Sequence, residues 1–136
     1  MSICIVDGPL STVHRKENMA FKFEKLEVWK KALDLADKIH DLTKSYPKEE
    51  LYVLTSQTRR ASDSIVLNIA EGSTGQTNAE FKLFLGYAIR SAMELITCLY
   101  LANRRKLLVK QQFNDLYASI ENIVKMLQSL RKYLKT

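Results

Sequence analysis

Residues 57–72, Gln-Thr-Arg-Arg-Ala-Ser-Asp-Ser-Ile-Val-Leu-Asn-Ile-Ala-Glu-Gly, decide the fold of this 136-residue chain. Steps of three and four residues give the positions that would face a neighbouring helix: Thr58, Ala61, Ile65, Asn68 and Gly72. This spacing predicts a helix, and we expect Gly72 to end it in the left-handed conformation that glycine adopts without strain. Because the inward positions are small or polar, we expect close packing against particular neighbours, with Asn68 fixing the register.

The rest of the chain predicts three further helices and no strand. Only four glycines and two prolines are present, which favours a few long helices over many short strands. Thr77 and Glu80 match a capping box at one helix start, and an apolar heptad runs from Phe113 to Leu134. The predicted helices span about 26–46, 50–71, 78–104 and 110–134, after a flexible N-terminal extension over residues 1–20. This pattern indicates an all-α domain over 21–136, an antiparallel up-down-up-down four-helix bundle.

The helix predicted over 78–104 is apolar around more than half of its circumference. Beside its inward positions it carries Tyr87, Ile89, Met93, Ile96 and Tyr100. A helix with so wide an apolar face is buried on two sides, which a single four-helix bundle does not require. We therefore expect a subunit interface on this helix, and hence a homo-oligomer. The alternative is a larger core within one subunit.

The whole formal net charge of +6 lies in the last quarter of the chain. Residues 1–103 carry equal numbers of basic and acidic side chains, whereas residues 104–136 carry eight basic side chains against two acidic ones. Such an excess is compatible with a polyanion, so we predict that these side chains bind RNA or DNA; the alternative is a solvated basic helix. The candidate nucleic-acid-binding residues are Arg104, Arg105, Lys106, Lys110, Lys125, Arg131, Lys132 and Lys135.

Aromatic residues are interleaved with these basic residues, as where Phe113 and Tyr117 follow Lys110. Stacking of a base on an aromatic ring is worth about 1–3 kcal/mol. Phe113 is also a core position of the predicted helix, which weakens the motif. Because no helix-turn-helix, RRM or KH signature is present, we expect binding to phosphate and shape, with a strong dependence on salt.

Residues suited to catalysis or metal binding are scarce. His14 and His40 are the only histidines, and no Glu-x-x-His pair is present. Ser62, Ser64 and Ser91 lie within predicted helices without a histidine at plausible range, and Cys98 has no base near it in sequence. We therefore predict no catalytic residue, no metal, no cofactor and no enzyme activity. The two cysteines, Cys4 and Cys98, do not suggest a disulfide framework, and the apolar runs are broken before membrane-spanning length. These features favour a cytoplasmic protein without a membrane partner.

One ion pair is predicted between the second and third helices. Arg60 lies near the middle of the second helix, and Glu94 lies on or beside the apolar face of the third. Antiparallel packing would bring the two side chains to the same level. We expect a buried or half-buried pair, which specifies the register of two helices more than it stabilises them.

Residues 57–72 resemble the four-helix-bundle proteins named after 23S rRNA intervening sequences. The structural signature positions are Arg60, Asn68, Glu71, Gly72 and Glu94. Other stretches agree with the family: Phe23-x-x-Leu26-x-Val28-Trp29-x-x-Ala32, Tyr46-Pro47-x-x-Glu50, Leu54-Thr55, Glu80-Phe81-x-x-Phe84-Leu85 and Glu94-Leu95. The match covers about residues 21–134 and departs at Arg90, where the family usually has a small residue.

The resemblance implies an antiparallel four-helix bundle that assembles as a homopentameric ring and has no enzyme activity. Members of the family are encoded in inserts within bacterial large-subunit rRNA genes or elsewhere in genomes. Accessory proteins of diversity-generating retroelements look similar in fold, and there a basic ring engages a reverse transcriptase and RNA. Two functions stand at this point: a non-enzymatic homo-oligomer that binds RNA or DNA, or a scaffold that docks a nucleic-acid enzyme such as a reverse transcriptase.

Overall fold

Four long helices make up the described part of the chain. The computed structural model describes residues 19–136; residues 1–18, which hold most of the predicted extension, lie outside the described residues. The helices are α1 (Glu27–Thr43), α2 (Ser56–Ser73), α3 (Asn78–Arg104) and α4 (Lys110–Tyr133). No strand is present in residues 19–136, and the predictions of an all-α fold and a four-helix bundle are confirmed.

The connection between α1 and α2 is longer than the sequence predicts. The predicted helices run to 46 and start at 50, whereas α1 ends at Thr43 and α2 begins at Ser56. Lys48–Glu50 form a 3₁₀ turn, and Leu51–Thr55 form a π-helical turn that leads into α2. A π turn holds an extra residue and so rotates the side chains that follow it. The side chain of Tyr52 on this turn is exposed.

One hydrophobic core joins all four helices. Each helix contributes fully buried aliphatic side chains, among them Ile39 from α1, Ile65 from α2, Leu95 from α3 and Ile120 from α4. Burial of a side chain of this size stabilises the fold by about 1.5–3 kcal/mol. The three-four spacing of apolar residues therefore holds the bundle together.

Gly72 has a different role from the predicted one. α2 continues through Ser73 and is capped at Thr74, so Gly72 lies inside the helix and does not end it. A Cβ atom added at Gly72 would lie 2.6 Å from Cβ of Phe84 and 3.1 Å from Cδ1 of Phe81. The missing side chain therefore lets α2 approach α3 closely, and the prediction of a left-handed cap was wrong.

One polar contact between α2 and α3 is made by two serines. The hydroxyls of Ser64 and Ser91 lie 2.8 Å apart, in hydrogen-bond range. Asn68 does not cross to α3: its amide nitrogen donates to the Ser64 carbonyl at 2.8 Å and to the Ser64 hydroxyl at 3.0 Å, both within α2. Asn68 thus orients Ser64, and its contribution to the helix register is indirect.

The predicted ion pair between Arg60 and Glu94 does not form in the described bundle. Both side chains are exposed, and Glu94 accepts a hydrogen bond from the side-chain amide of Gln57 instead. Gln57 lies almost one turn before Arg60. The predicted position of Glu94 along α2 was therefore nearly correct, but the predicted partner was wrong.

The start of α3 agrees with the capping signal. The Thr77 hydroxyl accepts a hydrogen bond from the Glu80 backbone N–H at 3.0 Å, as expected for an N-cap residue. The Glu80 carboxylate reaches one residue further back than a capping box requires and accepts from the Gln76 N–H at 2.8 Å. The helix begins at Asn78 as predicted, and the reciprocal bond is displaced by one residue.

The turn between α3 and α4 contains a lysine in a left-handed conformation. Lys106 has a φ of 61°, and it is the only non-glycine residue with positive φ in residues 19–136. Its N–H donates to the Asn103 carbonyl at 3.1 Å, and the Leu107 N–H donates to the Ala102 carbonyl at 2.9 Å. These two bonds form a Schellman motif, where glycine is the usual residue at the left-handed position. Holding lysine there costs about 1–2 kcal/mol.

α3 is long and apolar enough to cross a membrane when only its length and composition are considered. An 18-residue window of the helix has a mean hydropathy of 1.2, and 39% of that window is buried in the bundle. The core helix of a soluble bundle has a similar composition because it packs against several neighbours. α3 contacts α2 at Ser91 and α4 at Tyr100. That the protein has no membrane partner stays a prediction.

Candidate nucleic-acid interface

Seven of the eight basic candidates lie in two clusters and not on one patch. The turn cluster, between α3 and α4, comprises Arg104, Arg105, Lys106 and Lys110. The terminal cluster, at the end of α4 and beyond it, comprises Arg131, Lys132 and Lys135. Arg131 follows Lys110 by 21 residues on α4, which corresponds to about 30 Å along a helix. Lys125 lies between the clusters.

Within the turn cluster, Arg105 is partly neutralised. Its Nη1 lies 3.5 Å from Oε1 of Glu50, so this pair joins the α3–α4 turn to the α1–α2 connection. Because the arginine side chain is nearly half exposed, water screens the pair, and its contribution to stability is at most about 1 kcal/mol. Arg104, Lys106 and Lys110 are exposed and take part in no ion pair in the described chain. These three cations are therefore available to a polyanion.

In the terminal cluster, Arg131 packs against α3. Its Cζ and Nη2 atoms lie 3.9 Å from the position that a Cβ atom would take at Gly86. Its Nε atom is buried without a hydrogen-bond partner among residues 19–136. The guanidinium covers the space left by a glycine, so part of its role is packing. The sequence gives no sign of this contact because 45 residues separate the two positions.

The two lysines of the terminal cluster, unlike Arg131, are exposed. Lys132 and Lys135 line a shallow surface cleft together with Asn78, whose amide donates to the Lys135 carbonyl at 2.7 Å. This bond ties the end of the chain to the first turn of α3. Between the clusters, the Lys125 ammonium lies 4.0 Å from the Glu121 carboxylate, a surface pair worth a few tenths of a kcal/mol (about 0.3–0.5).

Three aromatic rings lie across the outer side of α3 and α4, next to the turn cluster. The ring centroid of Tyr100 on α3 is 5.1 Å from that of Phe113, which in turn is 6.0 Å from that of Tyr117 on α4. Phe113 is half-buried against the core, whereas Tyr100 is 51% exposed and Tyr117 is 37% exposed. We call these three rings the aromatic ladder. Sequence spacing associated Phe113 and Tyr117 with Lys110, but Tyr100 could be added only from the fold.

The family-signature residues on α2 and α3 form a different surface. Arg60, Glu71 and Glu94 are exposed, and Glu71 lines an open cleft with Leu83 of α3. Exposed apolar side chains accompany these charges. We call this surface, defined by its exposed side chains, the α2–α3 face: Arg60, Leu67, Glu71, Leu83, Tyr87 and Glu94.

The buried polar groups at the α1–α2 end offer no reactive nucleophile. Burial raises the pKa of the Cys98 thiol, and a hydrogen bond from Thr58 only partly opposes this effect. Burial also raises the pKa of the Tyr46 hydroxyl to about 12, with the nearby Cys98 adding to the shift. Both groups therefore stay protonated at neutral pH, in the form that is a poor nucleophile.

The described residues offer no metal-binding cluster either. In residues 19–136 no cluster of three or more His, Cys, Asp or Glu side chains has the geometry to hold a metal ion. The one described histidine, His40, lies on α1 with its Nε2 3.4 Å from Oδ2 of Asp63 on α2. Both side chains are nearly half exposed, so the contact is a surface link between helices. His14 lies outside the described residues.

Comparison with known families agrees with this architecture. A family model described as the 23S rRNA-intervening sequence protein matches residues 24–129, which is most of the chain. The chain belongs to the 23S rRNA-intervening sequence protein family. This confirms the resemblance seen in residues 57–72. No curated protein matches the chain.

A solved structure is similar to this family member over most of its length. It is a protein of unknown function from the S23 ribosomal protein family of Bacteroides thetaiotaomicron, with a TM-score of 0.72 and 30% sequence identity. The alignment covers 77% of this chain and 95% of that chain. The similarity supports a common fold for the two proteins.

Proposed function

We propose that this protein is a non-enzymatic homo-oligomer that binds the backbone of RNA or DNA through the turn cluster. The observation that carries the proposal is the set of three exposed cations outside any described ion pair, Arg104, Lys106 and Lys110, within seven residues of one turn. Lysine and arginine at such a density attract phosphate regardless of base sequence. The name of the family, which refers to intervening sequences in 23S rRNA, is in keeping with a nucleic-acid partner.

The strained backbone at Lys106 adds to this argument. A glycine would satisfy the Schellman motif at lower cost, yet the position carries a cation with a φ of 61°. Backbone strain of this kind is concentrated at functional sites, where the surrounding structure maintains it. We infer that the protein retains this conformational cost of about 1–2 kcal/mol because the Lys106 cation contributes to binding phosphate.

A salt titration tests the proposal. Labelled single-stranded RNA is titrated with the protein at 50 and 200 mM salt, followed by fluorescence anisotropy. Three phosphate contacts on a single strand give a slope of about −2 in log K against log salt, so affinity falls about 20-fold over this range. Absence of binding at 50 mM salt would exclude the proposed function.

Two triple variants locate the binding surface with equal loss of charge. Arg104→Gln/Lys106→Gln/Lys110→Gln removes the free cations of the turn cluster, and we expect it to abolish most of the salt-dependent affinity. Lys125→Gln/Lys132→Gln/Lys135→Gln removes three cations elsewhere on the chain, and we expect a smaller loss. Equal losses would show that affinity follows net charge and not this surface.

We propose further that the helices run up-down-up-down and that the subunits assemble as a pentameric ring. The helix order is supported by contacts in which residue numbers rise along one helix and fall along its neighbour. Such pairs are Thr43 with Arg59 and His40 with Asp63, Gln57 with Glu94 and Gly72 with Phe84, and Tyr100 with Phe113 and Asn78 with Lys135.

The α2–α3 face supports self-association. It combines the exposed apolar side chains of Leu67, Leu83 and Tyr87 with charges of both signs, so two copies could complement each other. Light scattering at micromolar concentration tests this: a pentamer has about five times the 15.7 kDa mass of the chain. A monomer for wild type would contradict the assembly. Leu83→Asp is expected to shift the protein towards the monomer, whereas Val109→Asp, at an exposed apolar residue outside this face, should not.

A protein-docking role is the second candidate. It is favoured by the exposed apolar residues Leu51, Tyr52 and Val53 on the π-helical turn, which lies beside the turn cluster through the contact of Glu50 with Arg105. An apolar patch with a basic rim suits a protein partner that itself handles nucleic acid, such as a reverse transcriptase. Tight RNA binding by the isolated protein would favour the first candidate over this one.

A further inference from the structure

The aromatic ladder provides base-sized apolar surfaces beside the turn cluster. Phe113 and Tyr117 are four residues apart and so lie on one side of α4, while Tyr100 reaches them from α3. Phe113 packs against the core, which fixes the two flanking rings in place. The tyrosines keep 51% and 37% of their surface exposed. A half-exposed ring on a rigid helix can stack with a planar ligand without first having to be ordered.

Two free cations lie on the side of the ladder that faces the α3–α4 turn. Arg104 follows Tyr100 by four residues on α3, and Lys110 precedes Phe113 by three residues on α4, so each cation lies one turn from a ring. Neither cation takes part in an ion pair in the described part of the chain. The surface therefore has two cations next to the turn and, one to two helical turns away from them, the rings of Tyr100 on α3 and Tyr117 on α4.

Rings next to cations fit a nucleic-acid strand whose bases are unpaired. Phosphates and bases alternate along a single strand, and each exposed base has a π-face that can stack on an aromatic ring. In a duplex the bases are stacked on one another, and only the phosphates would meet this surface. The basic residues alone would bind both forms, so the rings are the feature that discriminates between them.

We propose that Tyr100 and Tyr117 stack unpaired bases of a single-stranded nucleic acid whose phosphates are held by Arg104 and Lys110. This inference rests on the proposed nucleic-acid function and specifies its ligand as single-stranded. Stacking on a ring depends on neither a base edge nor the ribose 2′-hydroxyl. RNA and DNA strands of one length are therefore expected to bind with similar affinity and with little dependence on sequence.

The test compares three probes by fluorescence anisotropy at a fixed low salt concentration: a labelled 15-nucleotide oligouridylate, an oligothymidylate of the same length, and a blunt 15-base-pair RNA duplex. Wild type is expected to bind the two single strands equally within about threefold, and about tenfold more tightly than the duplex. Tyr100→Leu/Tyr117→Leu keeps apolar side chains but removes both rings. It should lose about tenfold or more in single-strand affinity, with duplex affinity and the salt slope unchanged.

Two matched variants complete the design. Tyr52→Leu/Tyr133→Leu removes two tyrosines that are even more exposed, 88% and 77%, but lie outside the ladder, and it should bind like wild type. Tyr100→Phe/Tyr117→Phe keeps the rings and should retain single-strand affinity. If the leucine variant does not melt cooperatively, the single variants Tyr100→Leu and Tyr117→Leu replace it, each with about half the loss on a logarithmic scale.

The outcomes separate this inference from the function on which it rests. If wild type binds no probe, the proposed nucleic-acid function itself fails. If wild type binds all probes equally and the leucine variant is unaffected, the function stands and the stacking inference is overturned. Equal loss of single-strand and duplex affinity in the folded leucine variant would also overturn it, because stacking on unpaired bases cannot affect a duplex.

Discussion

The two sides of α3 are packed by different kinds of residue. Towards α2, the residues that α2 contributes to the contact are small: Gly72 lies against Phe81 and Phe84, and Ser64 is hydrogen-bonded to Ser91. Towards α4 the contact is made by large ones, with Tyr100 against Phe113. The first side contains the family signature, and the second adjoins the excess positive charge.

The stretch that identifies the family, residues 57–72, therefore packs the bundle together, while the proposed binding surface lies elsewhere. Small residues at a helix contact leave no room for change, since any added atom meets a neighbour. Large aromatic and basic residues on an outer groove leave part of each side chain in water, where it can meet a ligand. The predictions below test this division.

The largest effect is expected from closing the space between α2 and α3. Gly72→Ala would bring a Cβ atom within 2.6 Å of Cβ of Phe84, a distance that only backbone movement can relieve. Overpacking of this kind costs about 1–3 kcal/mol, to be measured as a loss in unfolding free energy by urea denaturation.

The matched control for Gly72→Ala lies on the other side of α3. A Cβ atom at Gly86 would meet only Arg131, at an ordinary contact distance of 3.9 Å. Gly86→Ala should therefore stabilise the protein by about 0.5–1 kcal/mol, because alanine favours a helix more than glycine does. A similar change in stability for both variants would remove the distinction between the two contacts.

The next effect concerns a buried hydroxyl at the α1–α2 end. The pKa of Tyr46 is raised from 10 to about 12 in the folded state, and its hydroxyl has no hydrogen-bond partner in the described residues. The stabilisation that comes from keeping Tyr46 protonated is therefore fully present below pH 10. It is lost as pH rises towards 12, because Tyr46 ionises first in the unfolded state. Between pH 9 and pH 11 this group should lower the unfolding free energy by roughly 1 kcal/mol.

Tyr46→Phe isolates that contribution from the other titrating groups. The variant should unfold with at least wild-type free energy at pH 8, because the lost hydroxyl had no partner. Its unfolding free energy should decline less than that of wild type between pH 9 and pH 11, by roughly 1 kcal/mol. Parallel curves for the two proteins would show that Tyr46 ionises equally easily in both states.

A third prediction concerns the strained turn between α3 and α4. Lys106→Gly relieves a φ of 61° and should stabilise the protein by about 1 kcal/mol in urea denaturation. The same change removes one cation from the turn cluster and should weaken RNA binding at 50 mM salt severalfold. Lys106→Asn, which also tolerates this conformation, should behave in the same way. If Lys106→Gly stabilises the protein without weakening RNA binding, the strained conformation has no connection with binding.

Patterns within single helices were sufficient to predict much of the fold. The three-four spacing and the Thr77 cap predicted α3 over 78–104, which are the bounds of the helix, because both signals act within a few residues. The π-helical turn at Leu51–Thr55 was missed, since no residue in that stretch breaks an α-helix. The left-handed Lys106 was missed because glycine, the usual signal for such a turn, is absent.

The candidate site could be predicted only in part, because it depends on contacts between helices. The charge count identified the basic residues from sequence alone. It could not show that Arg105 pairs with Glu50 or that Arg131 covers Gly86, since these partners are distant in sequence. The same limit explains why Glu94 was assigned to Arg60 when the nearer donor is Gln57.

The most direct test of the central claim compares two single substitutions of the same type. Arg104→Gln in the turn cluster and Arg60→Gln in the signature helix each remove one exposed arginine charge. The salt dependence of single-stranded RNA binding is measured for both variants and for wild type. We expect Arg104→Gln to reduce the slope of log K against log salt by about 0.7 and Arg60→Gln to leave it unchanged. A reduced slope for Arg60→Gln together with a wild-type slope for Arg104→Gln would contradict this claim.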